Sequence, residues 1–207
     1  MSHIASIQIG TVIHEGVEDA PNPMERPWTT AFYKSSISQP IRLTKLGLEG
    51  DQVADSKHHG GPEKAVLCYA ASHYAAWRTE HPELEMSAGA FGENLTIIDA
   101  DETSVCIGDV YQLGECTVEV SQPRQPCWKI SRRWGVKTLT KEVTRTGRTG
   151  WYLRIINEGT VHVGQELVRV ARPNPEWMVA RANDVMFGRE IDRMAVIELM
   201  NLAALSD

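Results

Sequence analysis

The chain has 207 residues, 42% of them hydrophobic and 23% charged, with a formal net charge of −6. That is enough for one sizeable core, and the absence of a basic field excludes nucleic-acid or anionic-membrane binding through bulk charge. No apolar run approaches the roughly 18 residues that span a bilayer, and the N-terminus lacks the basic-then-apolar order of a secretion signal, so a cytoplasmic location is expected.

Residues 4–13 predict one or two short strands around Gly10, followed by a loop from Val17 to Trp28 that holds Pro21, Pro23 and Pro27. Residues 31–37 predict a strand, and Ile41-Arg-Leu-Thr-Lys-Leu alternates with period two up to Gly47. A polar loop runs to Gly60-Gly61-Pro62, and Lys64 to Tyr69 is a short apolar strand. Ser72 to Thr79 predicts a helix that His81-Pro82 ends. Phe91 leads into another strand, and residues 108–120 predict two strands joined at Gly114-Glu115. Residues 129–139 look partly helical, and the stretch from Lys141 to Gly150 is rich in charge, with Lys141, Glu142, Arg145 and Arg148 and two glycines. Trp151 to Ile156, Thr160 to Val163 and Gly164 to Val170 predict the last strands. Many short strands between glycine turns argue for a barrel or sandwich rather than a doubly wound parallel sheet. From Pro175 the apolar residues recur near helical spacing, which predicts two short helices after a Pro-Asn-Pro linker. The expected division is therefore a β-barrel over residues 1–172 and a short helical appendage over 173–207.

Of the four cysteines, Cys68, Cys106 and Cys116 lie in apolar, strand-like runs and read as inert core thiols. No C-x-x-C pair or zinc spacing is present, and four reduced thiols are expected. Cys127 differs. It lies between Pro126 and a predicted helix, with Arg124, Lys129, Arg132 and Arg133 close by. Cations favour the thiolate, which is the nucleophile and the metal ligand, so Cys127 is the expected reactive or metal-binding sulfur. It should alkylate near neutral pH before Cys68 and Cys106. The alternative is a buried thiol whose charged neighbours point to solvent.

Three other clusters have the right chemistry for a ligand. His59-Gly60-Gly61-Pro62 is either a plain surface turn or a glycine-opened loop whose N–H groups meet an anion. Glu93 and Asn94, in Phe91-Gly-Glu-Asn-Leu, either hydrogen-bond a ring ligand or satisfy a loop. Arg145-Thr-Gly-Arg148-Thr-Gly-Trp151 suits a phosphate, or is a solvated hairpin. Asp109 after Gly108 reads as a turn residue, and His73, His81, Trp77 and Trp134 as packing or surface residues.

Gly47-Leu-Glu-Gly-Asp, His59-Gly-Gly-Pro, Phe91-Gly-Glu-Asn-Leu, Gly108-Asp, Gln122-Pro-Arg-Gln-Pro-Cys127 and Thr149-Gly-Trp occur in this order. Together they resemble the MOSC domain, named for the C-terminal domain of molybdenum cofactor sulfurase, over about residues 30–170. The tail from Pro175 resembles the helical extension of the YiiM-type branch, although it is long enough for only two of that branch's three helices.

The resemblance implies a mainly β protein: an antiparallel β-barrel with a few short helices and a small C-terminal helical appendage. It implies molybdenum cofactor as ligand, with Cys127 as catalytic residue and molybdenum ligand. Pyridoxal phosphate binding is a minor association. His59, Gly60, Gly61, Glu93, Asn94, Arg124, Lys129, Arg148 and Trp151 would line the cofactor pocket. The branch is associated with reduction of N-hydroxylated bases such as N-hydroxylaminopurine. The expected partners are a small N-hydroxylated substrate and a separate electron-donor reductase, since no flavin, haem or iron–sulfur motif is seen; a homodimer is left open. Two other readings stay open: a carrier that holds a persulfide or the cofactor on Cys127, and a metal-free thiol enzyme with His59 as base.

Overall fold

Short runs of alternating apolar and polar side chains build the wall of the molecule. In a computed structural model, which describes residues 1–206, thirteen strands and five α-helices follow one another. The strands are β1 (His3–Ile9), β2 (Ile13–Glu15), β3 (Trp28–Thr30), β4 (Ser35–Ile37), β5 (Ile41–Thr44), β6 (Gly47–Leu48), β7 (Val66–Ala70), β8 (Leu95–Ile98), β9 (Val110–Leu113), β10 (Cys116–Pro123), β11 (Trp151–Asn157), β12 (Gly159–Val161) and β13 (Val168–Ala171). The helices are α1 (His73–Glu80), α2 (Lys129–Trp134), α3 (Leu139–Thr146), α4 (Val179–Met186) and α5 (Arg193–Met200).

Eight strands form one curled sheet in the order β13-β9-β10-β11-β7-β8-β1-β4, and a three-stranded sheet, β12-β5-β6, adds to it. The pairing is antiparallel with one exception, the parallel pair β7–β8, which puts Cys68 opposite Leu95. This mixed pair results from the chain path: α1 crosses over between the two strands, and a crossover brings the second strand back in the same direction.

β7 is buried at all five positions because both of its faces are covered. Val66 and Cys68 join the main core with Ile4, Ile7, Leu95, Val118 and Leu153. Tyr69 points the other way, into a second, aromatic cluster with Phe32, Tyr74, Trp77, Phe91, Leu139 and Val143. Tyr69 stacks on Phe91 at 4.7 Å, and the Trp77 indole donates to the Tyr69 hydroxyl at 2.6 Å. A stacked aromatic pair of this kind contributes about 1 kcal/mol beyond the area it buries.

The charged stretch Lys141–Gly150, which the sequence pattern assigns to no element, belongs to helix α3 as far as Thr146. Only Leu139 and Val143, four residues apart, face inward, so the apolar stripe is too thin to stand out among threonines and charges. Of residues 31–37, expected as one strand, only Ser35–Ile37 form a strand, β4; residues 31–34 connect it to β3 without regular structure. In the tail, Val179, Ala182, Ala195 and Leu199 of α4 and α5 belong to the same core as the sheet.

A register shift between Val120 and Gln122 marks a bulge near the end of β10. Its extra residue, Ser121, donates to the Glu63 and Tyr152 carbonyls. Bulges of this kind bend a strand and re-aim the segment beyond them. In this chain that segment is Arg124 to Cys127.

Candidate active site

The two cores meet at a cavity of about 110 Å³. Phe32 and Phe91 come from the aromatic side, Ala65 and Leu67 from β7 and its approach, and Tyr152 from β11. His59, Gly60, Asn94, Arg124, Cys127 and Lys129 also line it, so the structure brings six of the ten sequence-selected residues together. Cys127 is half-buried, whereas Cys68, Cys106 and Cys116 are buried; all four are unpaired. Burial pushes the Cys68, Cys106 and Cys116 thiols above their ordinary pKa.

Charge around the cavity is mostly positive: Lys34, Lys64, Arg124 and Lys129 against Asp51 and Asp55. The acids are already engaged. Asp51 holds Lys34 through both oxygens, at 2.5 and 2.7 Å, and also accepts from the Gly10 N–H. Burial pushes the Lys34 ammonium below its usual pKa, and Asp51 opposes that shift. Asp55 pairs with His58 at 3.0 Å. Arg124 is 3% exposed; its guanidinium reaches only two carbonyls, Phe91 at 3.2 Å and Thr149 at 3.4 Å. Lys129 is 9% exposed, and among the described residues its ammonium makes no hydrogen bond or ion pair. Buried cations without carboxylates are costly unless an anion joins them. The donor set therefore fits an anionic ligand next to a sulfur.

The same field acts on His59. Burial, then Lys129 and Arg124, bring its pKa down to about 4, so the imidazole is neutral at pH 7. Gly60 adopts φ +73°, and a Cβ there would press within 2.9 Å of Val53, so this position in the loop requires glycine.

Four selected residues lie outside the cavity lining. Glu93 is fully buried and ties its own loop together, accepting from the Tyr74 hydroxyl, the Gly89 and Phe91 N–H groups and the Thr96 hydroxyl. Arg148 stacks over Trp77 at 4.0 Å and pairs with Glu80. Trp151 is a core residue of β11, opposite Cys68. Gly61 starts the short 3₁₀ turn at Pro62–Lys64. Conversely, Lys34, Lys64 and Tyr152 line the cavity, and no spacing or composition signal in the sequence marks them. Among the described residues, no group of three or more His, Cys, Asp or Glu is placed to hold a metal, so a metal at this site would depend on ligands that a cofactor brings.

On its outer side the cavity opens into a groove of about 890 Å³, with Cys127, His59 and Lys129 on the shared rim. The MOSC domain pattern matches residues 55–168, which include this rim. The chain belongs to the MOSC domain family. YflK of Bacillus subtilis (strain 168) is 40% identical over 178 residues, covering 86% of this chain and 80% of its own. A protein named Reductase from Gibberella moniliformis (strain M3125 / FGSC 7600) is 37% identical over 84% of this chain, but the match spans only 31% of that longer protein. The crystal structure of YiiM from Geobacillus stearothermophilus superposes with a TM-score of 0.81 at 30% identity, covering 100% of this chain and 94% of that one. The superposition takes in the terminal helices as well as the mainly β region. No helix of the described residues is long and apolar enough to cross a membrane.

Proposed function

We propose that this MOSC protein is a molybdenum-cofactor-dependent oxidoreductase that reduces N-hydroxylated bases, with Cys127 as the protein's ligand to the metal. One observation carries the reading: a half-buried thiol lies beside two buried cations, Arg124 and Lys129, that have no carboxylate partner among the described residues. A pterin dithiolene with a phosphate supplies the missing negative charge, and soft thiolate suits its metal. When bound, the cofactor supplies a centre that can pass two electrons. Arg124 and Lys129 would hold the phosphate, and the Gly60 turn would let backbone approach it closely. His59, uncharged at neutral pH, can accept a hydrogen bond at the rim without adding to the positive field. The net reaction is R–NHOH + 2 e⁻ + 2 H⁺ → R–NH₂ + H₂O, with both electrons from a separate reductase protein and the protons from solvent. The name of the Gibberella moniliformis relative supports the reaction class.

The test is direct. Protein purified from a molybdenum-replete host is expected to hold stoichiometric molybdenum and to reduce N-hydroxylaminopurine when given an electron-donor system. Cys127→Ala is expected to lose molybdenum and turnover together. Loaded protein that shows no turnover but passes sulfur or cofactor to an acceptor would make it a carrier. No molybdenum, even after reconstitution, would leave a metal-free thiol enzyme.

A further inference from the structure

Helix α4 carries one fully buried polar side chain, Asn183. A buried amide is costly unless its atoms find partners. The Asn183 Nδ2 donates to the Thr149 hydroxyl at 2.9 Å, whereas its Oδ1 meets no donor among the described residues. Leucine has nearly the same shape and no polar atom, so packing alone does not call for asparagine here. The one bond that Asn183 makes leads to the cavity. Thr149 and Gly150 form the seat of Arg124: the Thr149 carbonyl accepts from its guanidinium at 3.4 Å, and the Gly150 carbonyl accepts from its backbone N–H at 3.0 Å. The Thr149 hydroxyl, which accepts from Asn183, donates in turn to the Gly150 carbonyl at 3.1 Å. A chain of hydrogen bonds therefore runs from α4 to both ends of Arg124, and bonds in such a chain polarise one another. The seat has a second tie to the same helix. Glu102, 3% exposed, accepts from the Gly150 N–H at 2.6 Å, and its own carbonyl accepts from the Ala180 N–H in the first turn of α4 at 2.7 Å. Gly150 adopts φ +81°, and a Cβ there would stand 2.3 Å from the Cys68 carbonyl, so the seat is also wedged against β7.

We infer that Asn183 is a positioning residue for Arg124: through the Thr149 hydroxyl and the Gly150 carbonyl, helix α4 fixes the direction in which the guanidinium meets an anion in the cavity. The inference rests on the proposed anion site for its consequence, whereas the support of Arg124 stands on the hydrogen bonds alone. Arg124 has only carbonyl partners, and a guanidinium held by carbonyls points where those carbonyls are fixed. The terminal helix thus belongs to the anion site without touching the ligand.

The experiment is a double-mutant cycle on the full chain, read by pyrophosphate calorimetry and by deuterium exchange. Asn183→Leu is expected to weaken pyrophosphate binding about fivefold, a coupling of the size found within one hydrogen-bond network. In the Arg124→Met background the same change should alter affinity by less than about twofold, because the side chain it positions is gone. In the Lys129→Met background the full loss should remain. A merely structural role would weaken binding by the same factor in all three backgrounds, and that result overturns the inference. Thr149→Val should reproduce Asn183→Leu, whereas Thr149→Ser, which keeps the hydroxyl, should stay near wild type; equal effects of Val and Ser also overturn it. Where Asn183→Leu does not fold, Thr149→Val takes its place in the cycle. Exchange reads the seat without a ligand. In the segment 122–127 Pro123 and Pro126 carry no N–H, so the Arg124 amide contributes strongly. Asn183→Leu should speed its exchange severalfold and leave β1 and β8 unchanged. Exchange that is unaltered at Arg124, or faster everywhere alike, overturns the inference. If pyrophosphate binding depends on Arg124 but Asn183→Leu binds as wild type does, the positioning role falls and the anion site stands. If wild type binds no pyrophosphate, the anion site falls and the exchange result alone decides whether α4 supports Arg124.

Discussion

Asp109 and Lys129 are both charged, both buried, and both close to an end of β10, yet their surroundings are opposite. Asp109 is fully buried and surrounded by donors. It accepts from Arg172 Nε at 2.8 Å and Nη2 at 2.5 Å, from the Tyr111 hydroxyl at 3.1 Å and from the Cys106 N–H at 2.9 Å. The Asp109 carboxylate in turn raises the pKa of the Arg172 guanidinium above its ordinary value. Lys129 has a cavity where Asp109 has partners. A buried charge that the protein satisfies itself is architecture. A buried charge that the protein leaves unsatisfied lowers stability, and a bound anion reverses that loss.

Breaking each set tests the contrast. Asp109→Ala strands the Arg172 guanidinium and two further donors, the Tyr111 hydroxyl and the Cys106 N–H, and is expected to lower the unfolding free energy by about 3–5 kcal/mol in urea titrations. A loss below about 1 kcal/mol would show that the cluster is not a closed one. Lys129→Met should do the reverse. Removing an unpaired buried cation is expected to leave stability equal or raise it by about 1 kcal/mol, as replacing buried charge with an apolar side chain of similar size often does. The same change should weaken pyrophosphate binding, measured by calorimetry, about tenfold, because a charge-assisted bond contributes roughly 1.5–3 kcal/mol. Strong destabilisation by Lys129→Met would mean that the ammonium has a structural partner and the contrast is lost. Arg124→Met should cost more stability than Lys129→Met, because the Phe91 and Thr149 carbonyls each lose a donor.

The contrast also shows what a sequence can carry. Alternation in β10 and the hairpin turn at Gly114 were readable because they are local, and so was the helical spacing of the tail. Cys127 with Arg124 and Lys129 was readable because one six-residue segment, from the end of β10 into the start of α2, bears all three. Asp109 was not: after a glycine it looks like a turn residue, and its partner Arg172 lies 63 positions away. Glu93 and Trp151 mark the reverse error. Their chemistry suits a ligand, but the fold spends them on a loop staple and the core of the sheet. Tyr152 reaches the cavity through the register of β11, and Lys34 through its ion pair with Asp51, neither of which composition expresses.

Thiol labelling sharpens the contrast at smaller scale. A neutral-pH alkylating reagent is expected to modify Cys127 first, with Cys68, Cys106 and Cys116 protected until the fold opens, because burial both shields them and raises their pKa. Peptide mapping by mass spectrometry reads the order. Equal, slow labelling of all four would place Cys127 with the core thiols and remove the accessible sulfur from the site.

The smallest effect concerns His59. Its folded pKa is about 4, below the ordinary imidazole value of about 6.5, because burial and the Lys129 and Arg124 charges disfavour the imidazolium. Between those two values the unfolded chain binds a proton that the folded chain does not. Stability contributed by neutral His59 is thus fully present above about pH 6.5 and falls as pH drops toward 4. His59→Gln removes that slope. Thermal melts of wild type and variant should run parallel above about pH 7 and converge or cross as the pH approaches about 4.5, with the wild type losing more. Lys129→Met in the same series takes away one of the opposing charges and should make the wild-type slope shallower. If the slope is the same with and without Lys129, burial and the Arg124 charge set the imidazole, and the cation at residue 129 lies too far from the rim to act on a ligand there.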